Sequence, residues 1–481
     1  MTARIRRTCG LIGGTLILCL AAGWAEDLQV GPARRTTAGK EQAKNAEATG
    51  EPAGRGLSAP PAAVNLGPLA PGDLSVKVTP HGNRVLGLTR KLTQEQIAAG
   101  VWEYLPDSRR VWRFSLQSPG ALGLRVHFAG FEVGGGKVWV YAMDRERNPQ
   151  AIGPYTGKGP TGTGDFWSGL VAQDSAVIEY QPAPGDQRTD LPFRVAAVSH
   201  LSSSPIARGR PGLRPIVRRQ SGEGFRPAAQ TKDGSFGQAL GCELDVNCAL
   251  KDWQYASLSV GLFLTFEDDY VIACSGTLLN NMQKSFRPYF LTANHCVSTG
   301  TAAVNSLVLW NLQTNFCNGD VPDLTSLPQQ AVARLLVTRP IDQGDYTLLL
   351  LSGSAPQNAV YSGWRTQEPG MGAFVVSIHH PEATWKRLSA GNRVLDQDVQ
   401  VVDDQGNVMA VAPANRYYEI SWSVGVTEPG SSGAPLFDAD SYLVGVLSHG
   451  NVDCSGQGFD GYGRFSGMIT DLRQYLVDDS L

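Results

Sequence analysis

Residues 428–435 read EPGSSGAP, a glycine-rich turn that contains Ser432 and continues directly into the apolar pair 436–437. Glycines on both sides of a serine let the backbone turn sharply and aim the amides of Gly430 and Ser432 at one spot, where a developing oxyanion would sit. Glycine and serine also dominate plain turns and linkers, which is the alternative interpretation. A linker has no need to enter a strand at once, so the continuation favours Ser432 as a reactive hydroxyl.

Two upstream stretches supply what a serine nucleophile needs. Residues 291–296 read LTANHC at the end of an apolar run, and residues 344–348 read GDYTL at the start of another. A serine hydroxyl is a weak nucleophile until a base removes its proton, and the base works when a third group fixes its tautomer. Either motif alone is more often structural. Because His295, Asp345 and Ser432 occur together in this order, the sequence predicts a serine peptidase.

The cysteines point to an oxidising environment. Six of the eight lie in the C-terminal half, at Cys242, Cys248, Cys274, Cys296, Cys317 and Cys454. An even number suggests a disulfide framework, although the spacing alone leaves the pairing open. The alternative is a zinc site, which the absence of any Cys-x2-Cys pair disfavours. We therefore expect no metal and no cofactor.

These motifs carry a family resemblance. From about Gly237 to the end, the chain resembles the bacterial lysyl endopeptidases, a branch of the trypsin-like serine peptidases. The resemblance covers about half of the chain and rests on TANHC at 292–296, DYTLL at 345–349 and GSSG at 430–433.

The resemblance implies an all-β peptidase domain of two six-stranded β-barrels with a C-terminal helix. His295 and Asp345 would come from the first barrel and Ser432 from the second, with the active site between them. It also implies a disulfide pairing: Cys242–Cys454, Cys248–Cys317 and Cys274–Cys296. Trypsin-like zymogens keep an aspartate beside the reactive serine for activation, and Ser431 occupies that place here. Activation must therefore proceed by another route.

Substrate specificity is inferred from the same resemblance. In trypsin the carboxylate that receives a basic side chain precedes the serine, at the position of Val426 here, so that arrangement is absent. In lysyl endopeptidases it lies downstream, in a segment similar to FDGYGR at 459–464, which makes Asp460 the candidate. A lone carboxylate in a closed pocket favours a cation strongly over a neutral group. The alternatives are a surface aspartate paired with Arg464, and Glu428 as the pocket acid.

The stretch LSHG at 447–450 resembles the strand that lines the substrate cleft in this family. The resemblance implies that Ser448 hydrogen-bonds Asp345 and that His449 shapes the pocket. Gly450 would let a substrate backbone approach and pair as an extra strand.

The N-terminus has the features of a secretory signal. Arginines at 4, 6 and 7 precede an apolar run from Leu11 to Ala22, and the small residues Gly23 and Ala25 follow at the spacing expected for cleavage. The run is shorter than the ~20 apolar residues of a membrane span. We expect a signal peptide over residues 1–25, a secreted protein (extracellular or periplasmic), and no membrane association.

Composition divides the rest of the chain. Residues 26–64 are rich in Ala, Gly and Pro, which predicts a flexible segment. Residues 65–201 contain short alternating runs such as 111–116 and 138–141, which predict a β-sandwich-like propeptide domain. Residues 202–236 read as an exposed linker with the processing site, led by Lys232. Residues 237–481 are expected to form the peptidase domain. The chain would then be a zymogen whose propeptide assists the folding of the peptidase or inhibits its activity.

Short strands are predicted across the peptidase domain, followed by one helix at the end. The predicted strands cover 258–266, 271–279, 304–310, 374–379, 418–424 and 443–447. The helix is predicted from the spacing of Met468, Ile469, Leu472, Tyr475 and Leu476.

Other function classes are less consistent with the sequence. A net charge of -3 and the lack of a basic helix disfavour nucleic-acid binding. The alternative function is a catalytically inactive peptidase homologue that acts as a secreted binding protein or adhesin. Aromatic residues such as Trp112, Trp139, Phe166 and Trp167 would then line a sugar site, although in a small β-domain such residues more often belong to the core. Inactive homologues generally lose a member of the triad, and all three are present. The expected partners are protein or peptide substrates and the protein's own propeptide, and the expected state is a monomer.

Overall fold

The computed structural model describes residues 27–34, 51–57, 59–70, 72–76, 78–144, 150–202, 239–402 and 408–481. The predicted signal peptide over 1–25 and the predicted processing site at Lys232 lie outside these ranges. So does nearly all of the predicted linker over 202–236. Most of the regular structure is β-strand. No helix within the described ranges is long and apolar enough to cross a membrane.

The strands before residue 202 are β1 (Gln29–Val30), β2 (Ala33–Arg34), β3 (Val64–Asn65), β4 (Arg84–Lys91), β5 (Val101–Tyr104), β6 (Arg110–Gln117), β7 (Gly123–Ala129), β8 (Gly134–Tyr141), β9 (Ala151–Gly157), β10 (Phe166–Trp167), β11 (Ser175–Gln181) and β12 (Arg194–Leu201). This part also contains helix α1 (Gln94–Ile97) and a 3-10 helix, Ala53–Gly56. The alternating apolar runs at 111–116 and 138–141 both fall within strands, β6 and β8.

The N-terminal domain is a sandwich of two antiparallel layers. One layer contains β5, β6, β11, β8 and β9 with β3 at its edge, and the other runs β10-β7-β12-β4. Side chains from both layers form one buried cluster that includes Phe114, Phe128, Val140 and Ile178. Alternating residues of each strand point into this core, as expected when each sheet has one buried face. The β-sandwich-like domain predicted from the sequence is confirmed.

The strands after residue 238 are β13 (Leu244–Asp245), β14 (Val260–Glu267), β15 (Tyr270–Leu279), β16 (Tyr289–Thr292), β17 (Leu307–Leu309), β18 (Gln329–Arg339), β19 (Tyr346–Leu351), β20 (Val360–Tyr361), β21 (Trp364–Arg365), β22 (Phe374–His379), β23 (Arg387–Leu395), β24 (Val399–Val402), β25 (Val408–Ala412), β26 (Tyr417–Val424), β27 (Pro435–Asp438), β28 (Leu443–Gly450) and β29 (Asp460–Arg464). The helices are α2 (Lys251–Ser257), α3 (Gly300–Val304) and α4 (Phe465–Leu476). Short 3-10 helices cover Val246–Cys248, Leu324–Ser326, Ile341–Gln343 and Pro381–Ala383.

These strands close into two six-stranded barrels. The first barrel follows the order β15-β14-β17-β18-β19-β16 and closes through the β15–β16 pair. The second follows β28-β27-β22-β23-β26-β29 and closes through the β28–β29 pair. Helix α4 packs on the barrels with Phe465, Met468, Leu472 and Leu476 buried, a spacing of one helical face. The all-β fold of two barrels and a C-terminal helix is confirmed.

One predicted strand, 304–310, is wrong over its first half. Helix α3 extends to Val304, and the strand comprises only Leu307–Leu309. The helix is capped by Thr299, whose side chain accepts a hydrogen bond from the Ala302 amide at 3.2 Å. A threonine cap followed by alanines favours a helical turn over an extended chain. The apolar pattern alone does not register this cap.

The sandwich and the first barrel share one continuous sheet. Strand β4 pairs antiparallel with β15, with Tyr270 opposite Leu88 and Ala273 opposite Arg84. Because β4 also pairs with β12, a ten-stranded sheet runs from β10 in the sandwich to β16 in the barrel. The N-terminal domain therefore docks on the two-barrel domain through backbone hydrogen bonds.

The described residues 27–34 also lie on the peptidase domain. Strand β1 pairs antiparallel with β21, and β2 pairs with β20. Val30 is buried in a core cluster that includes Trp364. The sequence gives no sign of these strands, because two-residue strands are too short for an alternating pattern to be detected.

Candidate active site

The loop that carries Ser432 is fixed against the first barrel by close backbone contacts. The Ser275 amide of β15 donates to the Ser432 carbonyl at 2.7 Å. Gly433 has a positive φ of 81°, and a Cβ there would lie 2.3 Å from Thr292 Oγ1 and 2.8 Å from the Ala293 amide nitrogen. Only glycine fits so close to β16 and the turn that follows it. This contact brings the Ser432 loop against the segment that carries His295.

His295 and Asp345 form a bidentate pair. Asp345 Oδ2 lies 2.7 Å from His295 Nδ1, and Asp345 Oδ1 accepts from the His295 backbone amide at 3.0 Å. An ionised carboxylate only accepts hydrogen bonds, so Nδ1 carries the proton and Nε2 presents a lone pair. Asp345 has a positive φ of 50° directly after Gly344, where the chain leaves a 3-10 helix and enters β19. The tight turn holds the carboxylate at the mouth of the strand.

A hydrogen-bond chain continues behind the carboxylate. Ser448 Oγ donates to Asp345 Oδ2 at 2.6 Å, the contact that the family resemblance implies. His449 Nδ1 lies 3.3 Å from Ser448 Oγ, and its Nε2 lies 3.7 Å from the fully buried Glu419. The His449 ring packs edge-on against Tyr417. These contacts fix the position of β28 beside the His295–Asp345 pair.

The electrostatics favour an ionised Asp345 and a basic imidazole. Burial by itself lowers the pKa of His295, but the adjacent Asp345 carboxylate outweighs burial and raises the pKa above its usual range. Burial raises the pKa of Asp345, and donors from His295 and Ser448 more than offset this, so the pKa is lowered. The pair is thus arranged to stabilise an imidazolium next to a carboxylate.

Gly430 and Ser432 present their backbone amides without a competing protein acceptor. Within the described ranges, neither amide donates a hydrogen bond to the protein. Gly430 has a positive φ of 100°, and a Cβ there would lie 2.8 Å from the His380 carbonyl oxygen. Two free amides in one tight turn are the arrangement that an oxyanion requires.

Ser275 orders this turn and was not singled out from the sequence. Its hydroxyl donates to the Gly430 carbonyl at 3.0 Å and accepts from the His380 amide at 3.0 Å. Holding the Gly430 carbonyl on one side leaves the neighbouring amides free on the other. The only sequence signal was its position directly after Cys274.

Ser431 faces the interior, away from the chemistry assigned to its neighbour. It is fully buried, its Oγ lies 2.8 Å from His379 Nδ1, and it accepts from the Glu428 amide at 3.2 Å. His379 Nε2 in turn contacts Ser389 Oγ at 2.9 Å. Burial, reinforced by the charge of Arg387, lowers the pKa of His379 to about 3, so this histidine is neutral. A neutral hydrogen-bond chain occupies the place of the zymogen ion pair.

Asp460 is fully buried and lies against Gly450. Its Oδ2 accepts from Trp422 Nε1 at 2.5 Å and from Thr427 Oγ1 at 2.8 Å. No donor among the described residues reaches Oδ1 with hydrogen-bond geometry, and a Cβ on Gly450 would lie 1.8 Å from this oxygen. Burial raises the pKa of Asp460 to about 6, although the hydrogen bonds from Trp422 and Thr427 and the nearby His449 limit the rise. One carboxylate oxygen is therefore buried without a hydrogen-bond partner among the described residues.

The two alternatives for the pocket acid differ from Asp460 in their surroundings. Arg464 contacts Glu368 at 3.0 Å and Asp396 at 2.9 Å, so it pairs with carboxylates other than Asp460. Glu428 Oε2 accepts from the Leu240 amide at 2.7 Å and ties the start of the peptidase domain to the Ser432 loop. Asp460 is fully buried and is not the surface aspartate of the alternative interpretation.

The described residues form three disulfides, with the pairing that the resemblance implies: Cys242–Cys454, Cys248–Cys317 and Cys274–Cys296. The last joins β15 to the residue that follows His295. The first joins the start of the domain to the loop after β28.

Comparisons with known proteins agree with this architecture. Residues 236–466 match the family described as lysyl endopeptidase, C-terminal domain. A lysyl endopeptidase of Pseudomonas aeruginosa is 25% identical over 499 aligned positions, which cover 97% of this chain and 98% of that protein.

Two solved structures are also similar. One is the thermostable serine protease AL20 from an extremophilic microorganism, with 15% identity, a TM-score of 0.32, and coverage of 45% of this chain and 96% of that chain. The other is the MamO protease domain from Magnetospirillum magneticum, with 14% identity, a TM-score of 0.32, and coverage of 45% and 97%. Residues 236–466 are thus similar to the lysyl endopeptidase C-terminal domain, and this match, together with the relative that aligns over nearly the whole chain, supports a serine endopeptidase.

Proposed function

We propose that this chain is the secreted precursor of a serine endopeptidase that cleaves peptide bonds after lysine through an acyl-enzyme on Ser432. The observation that carries the proposal is the His295–Asp345 pair, with 2.7 Å between Nδ1 and Oδ2, next to the turn that carries Ser432. It supports a triad in which Ser432 is the nucleophile, His295 the base, and Asp345 the group that orients and charges the base.

The proposed acylation step needs only groups of this chain. Ser432 Oγ attacks the substrate carbonyl carbon while His295 Nε2 takes the hydroxyl proton. The carbonyl oxygen becomes an oxyanion, which accepts hydrogen bonds from the Gly430 and Ser432 amides. The C–N bond then breaks, and His295 returns the proton to the leaving amine. Asp345 stays ionised throughout and stabilises the imidazolium.

The proposed second step regenerates the enzyme. A water molecule enters where the amine left and gives a proton to His295 as it attacks the acyl carbon. The second tetrahedral intermediate uses the same two amides, and its collapse releases the acid and returns the proton to Ser432 Oγ. No metal or cofactor takes part in this sequence.

The preference for lysine is proposed from Asp460. Its Oδ1 is buried and has no hydrogen-bond donor among the described residues, so a substrate ammonium would be the partner that it lacks. A neutral side chain would leave the carboxylate unpaired, which is the physical basis of a large discrimination. In this assignment Gly450 lets the substrate approach Asp460, and Ser448 and His449 hold the cleft strand in place.

The proposed secretion and maturation of the protein are inferred from its disulfides and its domain organisation. Three disulfides suit an oxidising compartment, which supports a signal peptide over 1–25 and an extracellular or periplasmic destination. We assign residues 65–201 to a propeptide domain, 202–236 to a linker that is cleaved, and 237–481 to a monomeric peptidase. Neither nucleic acid nor membrane is a proposed partner.

The direct test is labelling of the purified protein with a serine-directed fluorophosphonate, followed by peptide-library digestion with the cleavage sites mapped by mass spectrometry. Labelling at Ser432 and cleavage after lysine are the expected results. A folded protein that is neither labelled nor able to cleave any peptide would instead be the inactive binding homologue.

The pH dependence should report His295. The base must be neutral to accept a proton, and the Asp345 carboxylate raises its pKa above the usual value of about 6.5. Activity should therefore fall as the pH drops through a pKa above about 6.5, while the fold persists. The measurement is kcat/KM against pH, with circular dichroism at each point.

Asp345→Asn is the paired variant for this profile. It removes the charge that raises the His295 pKa and favours the wrong tautomer, so we expect kcat to fall by about 10^4-fold and the remaining acid limb to move to lower pH. A wild-type profile that is flat from about pH 5 to about pH 9 with an intact fold would contradict the general-base role.

Maturation should produce an N-terminus between Arg226 and Gly237, with Lys232–Asp233 as the leading site. Lysine is the proposed preference, and the Cys242–Cys454 disulfide keeps the start of the domain attached after such a cut. N-terminal sequencing of the active form checks this. Lys232→Gln should abolish that N-terminus, and a mature start upstream of Ser202 would mean that the β-domain is retained.

A further inference from the structure

Strand β4 of the N-terminal domain lies along the edge of the first barrel next to the proposed active site. Its first residue, Arg84, is opposite Ala273, which precedes Cys274 and Ser275 in β15. Ser275 donates to the Ser432 carbonyl, and Cys274 is bonded to Cys296, next to His295. The β4–β15 ladder therefore ends at the segments that carry both the nucleophile and the base.

Two side chains at the start of β4 reach further into the site. Asn83 is fully buried, and its Nδ2 donates to the His295 carbonyl at 2.9 Å and to Glu267 at 2.8 Å. Arg84 Nε lies 3.1 Å from Glu382 Oε2, with both side chains almost completely buried. The Glu382 amide donates to the Pro429 carbonyl at 2.7 Å, directly before Gly430. Asn83 and Arg84 therefore contact segments that adjoin the proposed active site.

The polarity of β4 shows which half of a substrate it would displace. The strand begins at the site and runs away from it, antiparallel to β15. A peptide bound along this edge with the same polarity has its N-terminal end at Ser432. That peptide is the segment that follows the scissile bond, the leaving-group half of the substrate.

The chain before β4 does not pass through the site as a substrate would. The Thr79 amide donates to the Asn83 carbonyl at 2.9 Å, and the Gly82 amide donates to the Thr79 carbonyl at 2.9 Å. These bonds form a turn that reverses the chain, with Val78 bridged to Arg84. A chain that reverses at residues 78–84 does not continue past the site in the extended form of a bound substrate.

We propose that the N-terminal domain inhibits the peptidase by strand addition, with β4 occupying the barrel edge that the leaving-group half of a substrate needs and with Asn83 and Arg84 as its anchors. This rests on the proposed peptidase function of the same site. Cutting the linker leaves the β4–β15 ladder intact, so full activity requires release of the domain. Strand addition of this kind uses backbone bonds for affinity and side chains for specificity.

Inhibition of this kind should affect two kinds of substrate differently. A peptidyl-lysine amide with a small chromogenic leaving group has no residues beyond the scissile bond, so β4 should not exclude it. A quenched fluorescent peptide extended by several residues beyond lysine needs the occupied edge. The quantity to measure is the ratio of kcat/KM for the extended peptide to that for the short amide, on the full-length chain before and after linker cleavage.

The double variant Asn83→Ala/Arg84→Ala should raise this ratio by about tenfold or more, because it removes one partner from a buried ion pair and from a buried hydrogen bond. It should also make the domain separate from the peptidase on size exclusion after linker cleavage. Arg109→Ala is the matched control, since Arg109 is an exposed residue of the same domain whose salt bridge is to Asp107. Its ratio should equal that of the wild type.

If the double variant is not secreted in folded form, Glu382→Gln weakens the same anchor from the peptidase side and leaves the N-terminal domain unchanged. If both substrates are cleaved and the ratio of their kcat/KM values is the same in the wild type and in the folded variant, then β4 does not inhibit by occupying the barrel edge. Absence of fluorophosphonate labelling and of any cleavage of the short amide would instead count against the peptidase function itself.

Discussion

Replacing Ser432 with alanine should abolish turnover and leave a folded, secreted precursor. In the described part of the chain the Ser432 side chain makes no hydrogen bond, while its carbonyl is held by the Ser275 amide. The loop conformation therefore does not depend on the hydroxyl that the variant removes. For a serine peptidase, loss of the nucleophile lowers kcat by about 10^6-fold, and only oxyanion stabilisation and substrate binding remain.

The neighbouring serine provides a matched control. Ser431→Ala removes a hydroxyl from the same loop, but this hydroxyl is buried and bonded to His379. Its loss should destabilise the fold by about 1 kcal/mol or somewhat more, because it leaves His379 without one partner. Turnover by the folded fraction should persist, whereas Ser432→Ala should leave none.

The measurement combines kcat on a lysyl amide, fluorophosphonate labelling and thermal unfolding of each variant. Ser432→Ala should unfold at nearly the wild-type temperature and take up no label. If Ser432→Ala cleaved as fast as the wild type, or if Ser431→Ala alone removed labelling without unfolding, the assignment of the nucleophile would be wrong.

The strands and the terminal helix were predictable because their side chains alternate or repeat locally. Residues 374–379 are an uninterrupted apolar-rich run and form β22 with those bounds. Helix α4 buries Met468, Leu472 and Leu476, which the helical spacing had indicated. Such periodicities are set by the burial of one face, so the sequence records them directly.

The joining of the two domains was not predictable from such patterns. Strand β4 pairs with β15 across more than a hundred residues of chain, and nothing in either strand specifies that partner. The register depends on anchors such as Asn83, whose amide bonds a carbonyl far away in sequence. A single polar side chain gives no periodic signal, so long-range docking is visible only in three dimensions.

The residues of the candidate site also fall into two groups, those that a sequence motif reveals and those that it does not. His295, Asp345 and Ser432 stand in short motifs because each lies in a tight turn that constrains its neighbours. Ser275 stands in a strand, and its role comes from a hydrogen bond to the Gly430 carbonyl, 155 residues later in the chain. Its neighbours in sequence carry no trace of that partner. Residues that position a site through distant contacts therefore escape motif analysis.

Asp460→Asn should lower kcat/KM for lysyl substrates by ~2–5 kcal/mol of transition-state stabilisation. The variant keeps an oxygen that can accept hydrogen bonds from Trp422 and Thr427, so the structure around residue 460 should be preserved. It replaces the unpaired carboxylate oxygen with an amide that repels an ammonium group. Substrates with a neutral residue before the scissile bond should be cleaved nearly as well as by the wild type, because they never used the charge.

Glu428→Gln is the control with the same change in charge. Its Oε2 accepts from the Leu240 amide, a bond that a glutamine oxygen can also accept. Lysyl selectivity should persist in this variant, since in the proposed assignment Glu428 holds the Ser432 loop and Asp460 is the acid that binds the lysine. Loss of lysyl cleavage in Glu428→Gln, together with its retention in Asp460→Asn, would transfer the role to Glu428.

Acidification tests the same carboxylate without a mutation. Burial raises the pKa of Asp460 to about 6, so protonation on lowering the pH through that value removes the charge that we propose selects lysine. His295 also titrates, but it affects lysyl and neutral substrates alike, and the ratio of their kcat/KM values cancels its contribution. The ratio should therefore be high at neutral pH, fall through about 6 in the wild type, and stay low at every pH in Asp460→Asn. A wild-type ratio that is constant across this range would show that another group selects the substrate.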